Sequence, residues 1–287
     1  MDTLGLALLY GLNAAQQSML LFLMASGLSL ILGAMGVINL AHGALYMLGA
    51  YLGWSLVQFT GHWLLALVML APIGLILGAS LERSLIRGTI GRHPLQQVLL
   101  TFGLVLIAEE VRAAIWGNDV LTLAPPEALR GGLPLGPQLI LPSYELAVMG
   151  AGLAVALGLG LLQGHTAWGI QLRALSENPR LLAALGVSPA RLTAGALALG
   201  TAIAMMAGLL AAPLTTLGPQ MGSPVLIASL VVVILGGLGS VRGTLLASLL
   251  VGTTQTLGQV FGGELAGLAV YIAMAAVLAF RPRGLTQ

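Results

Sequence analysis

The chain alternates long apolar stretches with short polar or glycine-rich connections along nearly its whole length. A helix rises about 1.5 Å per residue, so about 20 apolar residues cross the hydrocarbon of a bilayer. The predicted spans are residues 10–32, 44–59, 63–81, 95–116, 144–162, 192–213, 223–236, 244–261 and 265–280. We therefore predict an all-α polytopic membrane protein of about eight to nine transmembrane or re-entrant helices. Residues 1–287 are expected to form a single transmembrane domain.

Two of these spans, 44–59 and 223–236, look too short to cross the bilayer completely. The first follows residues 36–43, in which glycine stands at both ends and Asn39 and His42 lie between, and the second follows the glycine- and proline-rich residues 218–224. Non-helical backbone at membrane depth is tolerated only where protein buries it or water lines it. Interrupted helices in corresponding parts of two halves often mark a substrate path. The sequence contains no convincing repeat, so both full crossings and re-entrant segments remain open.

The composition narrows the functional classes. Of 287 residues 58% are hydrophobic and 7% are charged, whereas a soluble domain carries roughly 25% charged residues. All 11 basic residues are arginines and there are no cysteines, which excludes a phosphate-binding lysine, disulfides and thiol chemistry. Any ATP hydrolysis must therefore belong to another chain. A net charge of +2 without a basic, aromatic-interleaved run argues against nucleic-acid binding.

The arginines predict the orientation of the chain. In a nine-span arrangement most of them fall on one side of the membrane: Arg83, Arg87, Arg92, Arg173, Arg180, Arg191, Arg242, Arg281 and Arg283. Only Arg112 and Arg130 fall on the other side. By the positive-inside rule the arginine-rich side is cytoplasmic. The N-terminus is then expected outside and the C-terminus in the cytoplasm.

Few side chains offer catalytic or metal-binding chemistry. The four histidines are scattered without ligand spacing, so we predict neither a metal site nor a catalytic centre. Glu109 and Glu110 are adjacent, and neighbouring helical residues point about 100° apart, so they cannot act as a dyad. The simplest interpretation is an ion pair between Glu109 and Arg112. The alternative is a direct role in a transport pathway.

The first notable segment, residues 36–51, contains polar residues flanked by glycine: Asn39, His42 and Tyr46. One interpretation is a satisfied turn in which Asn39 caps the following helix. The other is a broken helix whose polar groups or free backbone amides line the substrate path. On the second interpretation these three residues are candidate path residues.

The second notable segment, residues 171–191, predicts a short amphipathic helix between two spans. Ser176 or Asn178 can cap this helix, and Pro179 suits its first position. An apolar stripe follows, and Gly186 ends the helix. The stripe comprises Leu181, Leu182 and Leu185. Such a helix lies on the lipid surface or docks into a groove of a cytoplasmic partner.

Four segments resemble motifs of one transporter family. Residues 36–51 are similar to GxxNFAHGxxYMLGAY, with Leu40 where phenylalanine is usual, and residues 173–187 to RAxxxDPxxAxxxGI. Residues 230–244 are similar to VVVLGGLGSIPGA, with Arg242 where proline is common, and residues 280–285 to the ending RPxGL. The chain thus resembles permeases of branched-chain amino acid ABC importers. It is most similar to the smaller of the two paralogous permeases.

The resemblance implies a bacterial inner-membrane complex. A second permease, two cytoplasmic ATPase subunits that bind ATP, and an extracytoplasmic binding protein are the expected partners, with no cofactor in this chain. The implied ATPase-coupling residues are Glu177, Asn178, Pro179, Arg180, Leu181, Leu182, Ala183, Ala184, Leu185 and Gly186. Alternatives are an ABC permease for urea, amides, aromatic acids, sugars or nucleosides, or a secondary transporter. An intramembrane enzyme has no nucleophile–base pair to support it.

Overall fold

The computed structural model describes residues 3–36, 38–91, 93–136, 139–261, 266–281 and 284–285. Within these residues the chain forms eleven α-helices and one two-stranded hairpin, which confirms the predicted all-α fold. The helices are α1 Thr3–Met35, α2 Ala41–Thr60, α3 Trp63–Leu81, α4 Pro94–Trp116, α5 Ser143–His165, α6 Ala167–Glu177, α7 Pro179–Ala184, α8 Pro189–Ala211, α9 Gly222–Gly236, α10 Val241–Phe261 and α11 Ala266–Phe280. Arg92 and Arg283, used above for orientation, lie outside the described residues.

Nine of these helices coincide with the nine predicted spans, and α6 and α7 are the additional two. In the described part of the chain, four helical stretches are long and apolar enough to cross a membrane: Gly5–Met35, Trp63–Thr89, Ser143–His165 and Pro189–Ala211. The helix at 44–59 is longer than predicted, because α2 has 20 residues and is about 30 Å long, but it is not among these four stretches. The expectation for α9 is confirmed, since its 15 residues extend only about 22 Å.

One end of the bundle, called here the loop end, is closed by the connection between α4 and α5. This connection contains the antiparallel strands β1 Gly132–Gly136 and β2 Leu139–Pro142, which the sequence did not predict. Its backbone also pairs with the segment after α8, since Leu121 and Leu217 exchange hydrogen bonds of 2.9 Å in both directions. The loop end thus joins the α4–α5 connection to the α8–α9 connection.

The opposite end, called here the arginine-rich end, gathers α6, α7 and the turn between α9 and α10. Arg173 and Arg242 line one cavity there, and Arg87 lines a neighbouring one. At the loop end Arg112 donates to the carbonyl of Gly117 and the side chain of Asn118. The predicted ion pair between Arg112 and Glu109 is therefore wrong: in the described structure both Nη atoms bond to groups just after α4, and the guanidinium lies over the ring of Tyr51.

Small residues bring the central helices into backbone contact. A Cβ atom on Gly74 of α3 would lie 2.5 Å from the Cα atom of Ala202 of α8, and one on Gly78 would lie 2.7 Å from that of Ala198. Gly27 of α1 approaches the Gly200 carbonyl of α8 in the same way. Such close approach lets membrane helices associate through van der Waals packing. Helix α8 is consequently the buried centre of the bundle.

The packing repeats between the two halves of the chain. Helix α8 packs against α2 and α3, and helix α1 packs correspondingly against α9 and α10. Because α1 ends and α8 begins at the arginine-rich end, the two groups α1–α4 and α8–α11 run in opposite directions. This pattern is that of inverted structural repeats, whose interface commonly carries the substrate path of a transporter. The sequence alone did not reveal it.

Candidate substrate path and coupling segment

Helix α2 begins deep inside the bundle. The Nε2 atom of His42, in its first turn, lies 3.1 Å from the Met24 carbonyl, about 16 Å before the end of α1. The His42 ring also lies against Gly27 of α1, which in turn contacts Gly200 of α8. Gly200 is about 16 Å along α8 from the start of that helix. The hydrocarbon is about 30 Å thick. The N-terminus of α2 therefore lies about half a hydrocarbon thickness from the arginine-rich ends of α1 and α8.

Helix α9 begins at the same depth and faces α2. A Cβ atom on Gly43 would lie 2.6 Å from the Gly222 carbonyl oxygen, and Gly222 is equally close to the backbone of Gly43. The chain enters this region from the arginine-rich end before α2 and from the loop end before α9. Two interrupted helices thus meet at their N-termini, where the inverted halves of the bundle join. We call this contact the junction.

The three candidate path residues lie at or beside the junction, and all are buried. Asn39 accepts a 3.1 Å hydrogen bond from the Ala41 amide, so it caps α2 as one interpretation expected. His42 is bound to Met24, and Tyr46 packs on α8 beside Gly208. The structure places Asn39 and His42 at the start of α2 inside the bundle. Their part in a substrate path stays a prediction.

Open spaces lie at both ends of the bundle and a narrow one lies between them. A cavity of about 750 Å³ at the loop end is lined by residues that include Gln220, Gln255 and Tyr271. Cavities of about 540 and 640 Å³ lie at the arginine-rich end. At the junction a space of only about 20 Å³ remains, beside Glu109 of α4. That volume holds about one water molecule, so the space at the junction is narrow.

The coupling segment, residues 177–186, has the local structure that the sequence predicts. The Asn178 side chain accepts a 3.0 Å hydrogen bond from the Leu181 amide, and Pro179 occupies the first helical position of α7. Gly186 follows with φ of 82°, which the absence of a side chain permits. Helix α6, which precedes this segment, was not predicted; its start is capped by Thr166, which accepts from the Gly169 amide.

The apolar stripe on α7 is narrower than predicted. Leu182 is only 5% exposed, because it packs into a cluster formed by α1, α6 and α8. It cannot reach a partner, so the expected three-leucine stripe is wrong. Leu181 and Leu185 are 58% and 73% exposed and remain available. The other members of the segment are also exposed: Glu177, Asn178, Pro179, Arg180, Ala183, Ala184 and Gly186.

A buried acidic residue was missed by the sequence reasoning. Glu82 at the end of α3 is fully buried and forms two hydrogen bonds with Arg87, of 2.6 and 3.2 Å. Its Oε1 atom also accepts a 2.9 Å bond from the Thr193 hydroxyl of α8. The available signal was a glutamate among arginines directly after an apolar span.

Comparison with known proteins agrees with this architecture. The family described as "Branched-chain amino acid transport system / permease component" matches residues 10–279. The chain belongs to this permease family. It is 27% identical to the high-affinity branched-chain amino acid transport system permease protein BraD of Pseudomonas aeruginosa, covering 92% of this chain and 90% of that protein.

Two further relatives cover similar lengths. LivH of Escherichia coli K12, a high-affinity branched-chain amino acid transport system permease, is 24% identical over 92% of this chain and 90% of its own length. A probable LivH permease of Methanocaldococcus jannaschii is 28% identical over 94% and 89%. No solved structure matches the chain significantly. The chain is thus a permease subunit of an ABC importer.

Proposed function

We propose that this permease moves branched-chain or related amino acids into the cytoplasm. In the proposed complex it pairs with a paralogous permease, sits on two ATPase subunits that bind ATP, and receives substrate from an extracytoplasmic binding protein. The arginine-rich end faces the cytoplasm by the positive-inside rule, which leaves the N-terminus outside and the C-terminus inside. The names of the relatives support the substrate class.

The observation that carries this proposal is the exposed face of α7 at the arginine-rich end. Leu181 and Leu185 project from it, and the only basic residue between Pro179 and Gly186 is Arg180. A helix that binds the lipid surface usually carries several basic residues on its polar face. The exposed leucines therefore favour a protein partner, and a helix-in-groove contact with an ATPase subunit fits them.

The same helix is anchored on its inner side, as a coupling element requires. Leu182 packs with Leu30 of α1, Leu175 of α6 and Leu192 of α8. A displacement of α7 by an ATPase subunit would therefore act directly on α1 and α8. These are the helices that meet at Gly27 and Gly200 beside the junction. ATP-driven movement at one end can thus reach the junction in the middle of the bundle.

The change Ala184→Glu tests the coupling role. Ala184 is exposed between the two leucines, so a glutamate there is compatible with folding but not with burial of α7 in an apolar groove. We expect normal membrane insertion, poor co-purification of the ATPase subunits, and loss of ligand-stimulated ATP hydrolysis. The matched control is Ala128→Glu, at an exposed position in the α4–α5 connection. Normal co-purification with normal stimulated hydrolysis would contradict the proposal.

The substrate class is tested separately, through the binding protein encoded beside this gene. Leucine, isoleucine and valine would be titrated into it in parallel with urea, acetamide, an aromatic acid and ribose. We expect the branched-chain amino acids to bind most tightly. Preferential binding of ribose or urea would leave the ABC permease role intact and overturn the proposed substrate.

A further inference from the structure

The ends of α3 and α8 are joined by a buried polar network next to the coupling segment. The Glu82 carboxylate is fully buried and accepts bonds from Arg87 and from Thr193. Arg87 also reaches the Ala190 carbonyl in the first turn of α8, at 3.4 Å. The network thus has two contacts with α8, one to a side chain and one to the backbone.

The local backbone is unusual where this network begins. Residues Glu82–Ile86 form a single π-helical turn at the end of α3, followed by the 3₁₀ turn Arg87–Thr89. Such π-turns are rare in proteins, and many of those that do occur lie at functional sites. At this wider turn Glu82 is buried against α8, whereas the Arg87 side chain is 43% accessible.

The network lies directly beside the proposed coupling element. Helix α8 starts at Pro189, three residues after the Gly186 turn that ends the coupling segment. A cavity of about 640 Å³ is lined by Glu82, Arg87 and Thr193 on one side and by Pro179 on another. The start of α7 and the Glu82 network therefore face the same space.

Deeper in the membrane, α3 and α8 are already in backbone contact at Gly74 and Gly78. A buried carboxylate that loses its partners is strongly unfavourable in a low-dielectric environment. Separation of the two helix ends would strip Glu82 of its bond to Thr193 and Arg87 of its contact with the Ala190 carbonyl, while the Glu82–Arg87 pair would stay together. The loss of a buried partner of the carboxylate therefore penalises this separation.

We propose that Glu82 is a positioning residue that locks the end of α3 to the first turn of α8, so that both helices follow α7 as one body. This inference rests on the proposed coupling role of α7. Without the lock, movement of α7 would bend the first turn of α8 and fail to reach α3. ATP hydrolysis would then proceed with less movement at the junction.

The test uses the complete complex of both permeases and the ATPase subunits in lipid nanodiscs. Because this chain has no cysteine, the pair Ser84→Cys and Arg191→Cys, labelled before the chain is assembled with its partners, gives two labels at exposed positions on the two helix ends. Their separation is measured by electron paramagnetic resonance, without nucleotide and with ATP plus vanadate. We expect the same distance distribution in both states. A nucleotide-dependent shift in this parent would overturn the inference.

Glu82→Gln in the labelled parent should make the distance nucleotide-dependent. It should also lower binding-protein-stimulated ATP hydrolysis, relative to the basal rate, by about tenfold, equivalent to about 1.4 kcal/mol of coupling. A merely structural role would reduce the yield without making the distance depend on nucleotide. Thr193→Val removes the hydrogen bond to Glu82 with little change in side-chain shape. If Glu82→Gln does not assemble, the same measurements on Thr193→Val test the proposal. Arg83→Gln, an exposed neighbour in the same turn, is the matched control.

The outcomes separate this inference from the proposed function. Parent-like distances and stimulated hydrolysis in both Glu82→Gln and Thr193→Val would contradict the lock alone. Normal ATPase binding and stimulation in Ala184→Glu would contradict the coupling role on which the lock depends.

Discussion

Truncation of the two exposed leucines of α7 should weaken the association of the permease with its ATPase subunits. Leu181 and Leu185 are 58% and 73% exposed, which together amounts to more than one whole leucine surface. Full burial of one leucine is worth about 1.5–3 kcal/mol. After ordering costs, loss of both side chains should reduce binding by about 1–3 kcal/mol, or roughly 5- to 150-fold in affinity.

The measurement is the affinity of purified ATPase subunits for the permease pair in nanodiscs, with the double variant Leu181→Ala/Leu185→Ala. Leu133→Ala is the matched control, since Leu133 is 51% exposed in β1 at the opposite end. Leu182→Ala should instead destabilise the bundle by about 2–5 kcal/mol, because that side chain is buried within the chain. Unchanged affinity in the double variant would refute the assignment of α7 as the docking helix.

Three further results are expected. A reporter fused after Gln287 should lie in the cytoplasm and one inserted near Glu127 should lie outside; the same location for both would contradict the orientation. Asn39→Leu removes the cap of α2 and should impair transport while the complex still assembles; wild-type uptake would leave Asn39 a purely structural cap. Gly222→Ala introduces a methyl group into the junction and should cost about 1–3 kcal/mol in a thermal unfolding assay. Gly150→Ala, with open space around it, should unfold like the wild type, and equal stability of the two variants would contradict the close contact.

The spans were predictable because their cause is local. A long apolar stretch indicates a membrane helix whatever that helix packs against. Each of the nine predicted stretches accordingly forms a helix. The start of α7 was predictable for the same reason, since Asn178 and Pro179 act within one turn. Boundaries were less accurate: α1 begins at Thr3, because a helix continues past its apolar core when nothing breaks it.

The remaining features depend on contacts between distant parts of the chain. Gly43 and Gly222 are ordinary glycines among 40 in the sequence, and only the fold brings them together at the junction. Leu182 differs from its neighbours only because α1, α6 and α8 enclose it. Glu82 became notable once Thr193, more than a hundred residues away, was found beside it. No local pattern carries that information.

The central claim is that ATP hydrolysis by partner subunits drives transport through this chain. The most direct measurement is uptake of radiolabelled leucine into proteoliposomes that contain both permeases and the ATPase subunits, with the binding protein outside and ATP inside. The account predicts uptake that requires the ATPases, the ATP and the binding protein together, and that the Ala184→Glu variant abolishes. Uptake by the permeases alone, driven by an imposed proton gradient and lost in Glu109→Gln, would contradict the account.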